Sequence, residues 1–119
     1  MEIRSRDAAV PFTTVDGSTI RSLLDRTTAP VGHQSLAEAT IAAGSATVRH
    51  YHRRAEEIYY LVEGSGTMEV DGVTARVTVG DAVLIPPGAW HRLEADADGP
   101  VRLLCCCSPP YAHDDTYFA

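Results

Sequence analysis

The 119-residue chain has no apolar run near the ~20 residues that a membrane-spanning helix needs, so no bilayer partner is expected. Its N-terminal stretch, "MEIRSRDAAVPF", lacks both an apolar signal core and the acid-free, Arg-rich pattern of a transit peptide, which points to a cytoplasmic protein. Clustered cations are missing too. Ten Lys and Arg are scattered against sixteen Asp and Glu, giving a net charge of −6, whereas a surface that tracks phosphates needs a basic stripe. Nucleic acid is therefore excluded as a partner. Cysteine occurs only as Cys105, Cys106 and Cys107. On a strand, neighbours point to opposite faces and residues two apart run nearly parallel, so no disulfide framework follows and a reducing compartment fits. Helical periodicity is scarce. Its best candidate, Ile20 to Asp25, runs into Thr27, Thr28 and Pro30 and reads as a strand or single turn. Repeats, low-complexity segments and linkers are absent.

Strand patterns fill the remainder. The candidates are Ser35–Gly44, Ala46–His52, Glu56–Gly64, Gly66–Val70, Val73–Val79, Ala82–Pro86, Trp90–Ala95 and Val101–Cys107. Between them fall Gly44, Gly64-Ser65-Gly66, Asp71-Gly72, Gly80-Asp81, Pro87-Gly88 and Asp98-Gly99-Pro100. Asp71-Gly72 is the clearest hairpin, because a type I′ turn needs φ > 0 at both central residues. Pro109-Pro110 ends the last strand, since neither can donate to a ladder. Short strands at regular spacing predict an all-β protein, an antiparallel barrel of the jelly-roll kind. The expected organisation is one domain: an N-terminal arm over 1–24, a barrel over 25–107 and a tail over 108–119. Thr19 to Leu24 has no evident partner among the barrel strands, which suggests a homodimer with this segment packed on the neighbouring subunit.

The histidines raise the question of function. His50 and His52 share a strand face with Val48, opposite Arg49 and Tyr51, and that apolar companion turns them inward. His91 shares parity with Leu93. On the strand between, Glu57, Tyr59 and Leu61 lie on one face and Ile58, Tyr60 and Val62 on the other; both are apolar, so parity does not choose. A lone strand histidine is ordinarily a satisfied core or edge residue. Three buried neutral imidazoles, however, each need partners, and one divalent transition metal with a carboxylate satisfies them together.

The chain resembles the cupin superfamily. The first cupin motif reads here as Gly44, His50, His52, Glu57 and Gly64, and the second as Gly80, Pro86-Pro87-Gly88 and His91. The resemblance covers residues 44–95. It implies a double-stranded β-helix and a single divalent transition metal per chain (Fe, Zn, Mn, Ni, Cu or Co) held by His50, His52, Glu57 and His91. Motif register selects Glu57 over Glu56, since only Glu57 leaves six residues before Gly64, although a looser spacing admits Glu56. The Asn that often ends the second motif is Ala95 here; it is not a ligand.

Other residues are candidates for shaping the pocket. Tyr59 should follow Glu57 inward as a catalytic or core tyrosine. Glu38 shares parity with Gln34, Leu36 and Thr40 and would act as a general base if that face lines the barrel; Ser35, Ala37, Ala39 and Ile41 make an equally good inner face. Cys105 and Cys107 share parity with Val101 and Leu103 and read as small buried apolar residues. His33 and the group His113, Asp114, Asp115 read as solvated loop residues. Trp90, Tyr111, Tyr117 and Phe118 are expected to cover the barrel mouth or a partner subunit. Walls of Ala, Val and Thr favour an uncharged or weakly acidic small molecule over a phosphosugar. Cupins carry many activities. Short one-domain members resembling aromatic polyketide cyclases fit this size, which implies an enzyme isomerising or cyclising a small oxygenated substrate. The alternatives are a metal-dependent dioxygenase and a non-catalytic binding or sensing module.

Overall fold

The computed structural model describes all residues, Met1–Ala119. Eleven strands follow in chain order: β1 (Phe12–Thr13), β2 (Thr19–Leu24), β3 (Ser35–Ile41), β4 (His50–His52), β5 (Glu56–Glu63) and β6 (Ser65–Val70). They continue with β7 (Val73–Thr78), β8 (Ala82–Ile85), β9 (His91–Ala95), β10 (Val101–Ser108) and β11 (Thr116–Phe118). Two antiparallel sheets face each other, one ordered β1-β2-β3-β10-β5-β8 and the other β11-β4-β9-β6-β7. This is the expected all-β jelly roll. No helix is long and apolar enough to cross a membrane.

The chain passes between sheets at Gly64-Ser65-Gly66. Gly64 sits at φ +81°, and a Cβ there would lie 2.1 Å from the Pro100 carbonyl oxygen. One at Gly66 would lie 2.2 Å from that of Glu94. Only glycine lets the two backbones approach so closely. At the β6–β7 hairpin Asp71 and Gly72 have φ of 49° and 82°, the pair of positive values that a type I′ turn requires.

Strand register divides the interior into two ends. Moving along β5, the buried side chains are Glu57, Tyr59 and Leu61, which settles the face that parity left open. Glu57 pairs with Cys107, Tyr59 with Cys105 and Leu61 with Leu103 on β10. On the other side of β10 these meet Ser35, Ala37 and Ala39 of β3. One end is thus polar and sulfur-bearing, and the other closes on Leu61, Leu103, Val101, Leu93, Met68 and Ile41, all under 5% exposed. Burying each such side chain stabilises the fold by ~1.5–3 kcal/mol. The apolar end is the rigid floor on which the polar end stands.

Several expectations need correction. Thr19–Leu24 pairs with β3 of its own chain, so it does not need a neighbouring subunit to complete it. The tail also belongs to a sheet: β11 lies antiparallel to β4, with Thr116 opposite His52 and Phe118 opposite His50. The strand expected over 46–52 is ordered as β4 only from His50, after an isolated bridge at Ala46. Val48 is 43% exposed, its amide donating to the Asp16 carbonyl, so the histidines face inward without the apolar companion that suggested it.

Candidate metal centre and cavity

Three strands direct side chains to one point. Period-two geometry on β4 turns His50 and His52 to the same side, and His91, which opens β9, is the register partner of His50. One nitrogen from each ring lies within 4.8 Å of the others. Glu57 on β5 brings Oε1 to 3.3 Å from His52 Nε2 and 3.4 Å from His91 Nε2. All four residues are buried.

The outer hydrogen bonds fix which nitrogens carry protons. His50 Nδ1 lies 2.7 Å from the Val48 carbonyl and His91 Nδ1 3.0 Å from that of Ala89. A carbonyl only accepts, so both Nδ1 atoms donate, and in the neutral ring Nε2 is left bare. His52 Nδ1 lies 3.0 Å from Thr116 Oγ1, whose own proton goes to the Ala112 carbonyl, so His52 donates as well. Cys107 Sγ donates to Glu57 Oε2 at 3.2 Å, leaving Oε1 without a donor. Glu57 Oε1 and His91 Nε2 are buried with no hydrogen-bond partner at all. Each such atom costs ~1–3 kcal/mol, more when charged. Lone pairs facing lone pairs make a hole for a cation, and a three-imidazole, one-carboxylate donor set suits a divalent transition metal. These residues fit the metal that the motifs imply.

A proton competes for the same hole. Burial pushes His52 down, but hydrogen bonding to the Glu57 carboxylate outweighs it and leaves His52 above its ordinary value. Burial likewise pushes Glu57 up, yet the His52 and His91 rings hold it well below the usual carboxylate range. His50 falls, through burial first and then the neighbouring His91.

The centre opens into a cavity of about 450 Å³, within the usual range for small-molecule sites. Tyr59 lines it, its ring 6.1 Å from that of His91, and its hydroxyl makes no hydrogen bond within the chain. Burial, and then the Glu57 charge, raise the Tyr59 phenol well above its ordinary value, so it keeps its proton and is a donor. Cys105 and Cys107 face inward as expected, and burial raises both thiols. Tyr111 and Phe118 stand on the wall, supplied by the tail.

Other expected residues lie elsewhere. Glu38 is on the outer face of β3, because Ser35, Ala37, Ala39 and Ile41 took the inner one. Its carboxylate is 2.8 Å from Arg6 and 3.2 Å from Arg102, an ion pair outside the cavity and no general base for it. Trp90 and Tyr117 do not cover the mouth. They pack with Tyr51 on the outside of the second sheet, with Arg49 over the Trp90 ring at 5.1 Å. His33 and Asp114 are exposed, but Asp115 is not a solvated loop residue: it is 4% exposed and accepts the backbone N–H groups of Arg54 and Ala55.

Two residues of the site went unread in the sequence. Thr116 orients His52, and Asp16 lines the cavity with Oδ2 3.9 Å from His50 Nε2. The signal for Asp16 was available: Thr14-Val15-Asp16-Gly17-Ser18 is a turn-forming run between two short β segments, like Asp71-Gly72.

Two facing antiparallel sheets with three imidazoles and a carboxylate converging at one end make a small β-barrel-like fold with a candidate metal site. Residues 37–107 match the Cupin domain model, and the chain belongs to the cupin family. It is 44% identical over 110 residues to an uncharacterized protein of Methanocaldococcus jannaschii, covering 92% of this chain and 88% of that one. It is 29% identical over 93 residues to the tetracenomycin polyketide synthase protein TcmJ of Streptomyces glaucescens, covering 78% of this chain and 62% of TcmJ. Among solved structures, the nucleoside dehydratase Pac13 superposes with a TM-score of 0.79 at 13% identity, covering all of this chain and 91% of that one; it shares the fold.

Proposed function

We propose that this cupin is a metal-dependent enzyme that isomerises or cyclises a small oxygenated organic substrate. The observation that carries the reading is the buried, partnerless pair Glu57 Oε1 and His91 Nε2, facing each other across 3.4 Å at the end of an open cavity. A core histidine kept only for packing would have both nitrogens satisfied. The divalent transition metal that His50, His52, Glu57 and His91 would hold supplies Lewis-acid polarisation of a substrate carbonyl or enol.

The chain's own residues supply the rest. Tyr59, still protonated, offers a hydrogen bond to a substrate oxygen next to the centre. Tyr111 and Phe118 make an apolar wall that orients a ring or chain and displaces water. Cys105 and Cys107 line the same space as neutral, buried thiols, small apolar wall residues rather than nucleophiles. Similarity to a polyketide synthase protein supports a substrate carrying carbonyl and hydroxyl groups.

Cobalt-loaded protein titrated with a β-diketone tests the reading. An open coordination position for substrate gives a change in the visible spectrum. An unchanged spectrum, with cobalt shown to be bound, overturns it.

A further inference from the structure

The Asp16 turn is built to fix one carboxylate oxygen and leave the other unpaired. Oδ1 accepts three hydrogen bonds, from the Ser18 amide at 2.8 Å, the Ser18 hydroxyl at 2.6 Å and the Thr14 hydroxyl. The Thr14 amide donates to the Ser18 carbonyl and the Gly17 amide to that of Thr14, while Gly17 takes φ +91°. The Asp16 carbonyl is tied to the Val48 amide at 2.8 Å, two residues before His50. Ser18 is 2% exposed. No donor in the protein reaches Oδ2, which lies 3.9 Å from His50 Nε2 on the cavity wall. By contrast, Asp25, the other acidic group on the cavity wall besides Glu57, is used by Ser22, Thr27 and Thr28. Arg26, the one arginine on the wall, is exposed.

We propose that Asp16 is the specificity-determining residue of this site, its free Oδ2 accepting an O–H from a neutral substrate whose neighbouring oxygen is held at the centre. The proposal rests on the metal reading for the second half of that pairing only. A carboxylate acceptor needs a ligand donor. Glu57 and Asp16 both present carboxyl groups to the inner end, where no lysine or arginine stands. A carboxylate ligand would bring an uncompensated negative charge to within reach of Oδ2 and is disfavoured. The fitting class is therefore the hydroxyketone or its enol, rather than a keto acid or a dicarboxylate. The distances and the unpaired oxygen make this a matched pair of sites rather than an apolar pocket over a metal.

Calorimetric titration with three ligands of one size tests it: α-hydroxyacetophenone, propiophenone, in which a methyl replaces the hydroxyl, and phenylglyoxylate. Cobalt-loaded protein should bind the hydroxyketone at least tenfold more tightly than either of the others. In Asp16→Asn the side-chain oxygen still serves Ser18 and Thr14, but an amide donor replaces Oδ2. The hydroxyl preference should then disappear and phenylglyoxylate should gain. Equal affinities for the hydroxyketone and propiophenone in the wild-type protein, or a preference unchanged in Asp16→Asn, overturn the proposal. Calorimetry also reads the hydroxyl preference where cobalt is not retained. Failure of the protein to retain cobalt, with the hydroxyl preference intact, overturns the metal reading and upholds Asp16; cobalt bound with no preference does the reverse.

Discussion

Replacing Asp115 with alanine should loosen the site from behind, and its magnitude follows from three hydrogen bonds. The carboxylate accepts the Arg54 amide at 2.8 Å, the Ala55 amide at 3.0 Å and Arg54 Nε at 3.2 Å. Arg54 is 63% exposed on its side chain, so that ion pair contributes only ~0.5 kcal/mol. The amide of Ala55 is different, since Ala55 is 3% exposed and its N–H loses its only acceptor. An orphaned buried donor costs ~1–3 kcal/mol and a lost bond to a charged group ~1.5–3 kcal/mol. Asp115→Ala should therefore lower stability by about 3 kcal/mol, read as the shift in urea midpoint at unchanged m value. The effect has a pH signature. Burial raises the Asp115 carboxyl, but the Arg54 and Ala55 hydrogen bonds outweigh it and hold the group below its ordinary 3.8. Stability from a depressed carboxyl is complete above the unfolded value and is lost as pH falls through the folded one. The gap between wild type and variant should be constant down to the region of 3.8 and narrow below it. Thr116 follows directly, so the variant should also bind metal more weakly. A gap under about 0.5 kcal/mol, or one that narrows above pH 6, would refute this reasoning.

Glu57→Gln should separate binding from folding: its amide can donate to His91 Nε2, so metal-free protein melts higher while metal affinity collapses, both read by calorimetry with and without chelator. Cys107→Ala should weaken metal binding ~10–100-fold by freeing Glu57 Oε2, and Cys107→Ser, which keeps a donor, should restore it; equal affinities in all three proteins would contradict the role of the thiol. We propose a homodimer not through Thr19–Leu24, which pairs within its own chain, but through the outer face of the six-stranded sheet. There Ile58, Tyr60 and Leu84 are 41%, 46% and 57% exposed, and Ile58 and Leu84 are cross-strand partners. Light scattering should give twice 12.8 kDa, and Ile58→Lys with Leu84→Lys should halve it; a wild-type monomer contradicts the dimer.

The four converging donors were legible because strand parity and motif spacing act over a few residues. Two faces of β5 and two of β3 were equally apolar, and only sheet assembly chose between them, burying Glu57 with Tyr59 and sending Glu38 out to Arg6 and Arg102. Val48 shows the limit of parity: it supported an inward histidine face while itself lying outside the strand. Asp16 and Thr116 were missed for another reason: the Thr14–Ser18 run marks a turn, but nothing local shows that either residue reaches the cavity. Both sit on segments too short to show alternation, and they reach the site through pairing with strands far away in sequence, β2 with β3 and β11 with β4.

The central claim is that His50, His52, Glu57 and His91 form one metal-binding hole. Elemental analysis of purified protein, stripped and reloaded with a single divalent transition metal, tests it most directly. One metal per chain is expected in the wild type and none in His50→Ala/His52→Ala, with the β-sheet circular dichroism of both unchanged. Full occupancy in the folded double variant would contradict it.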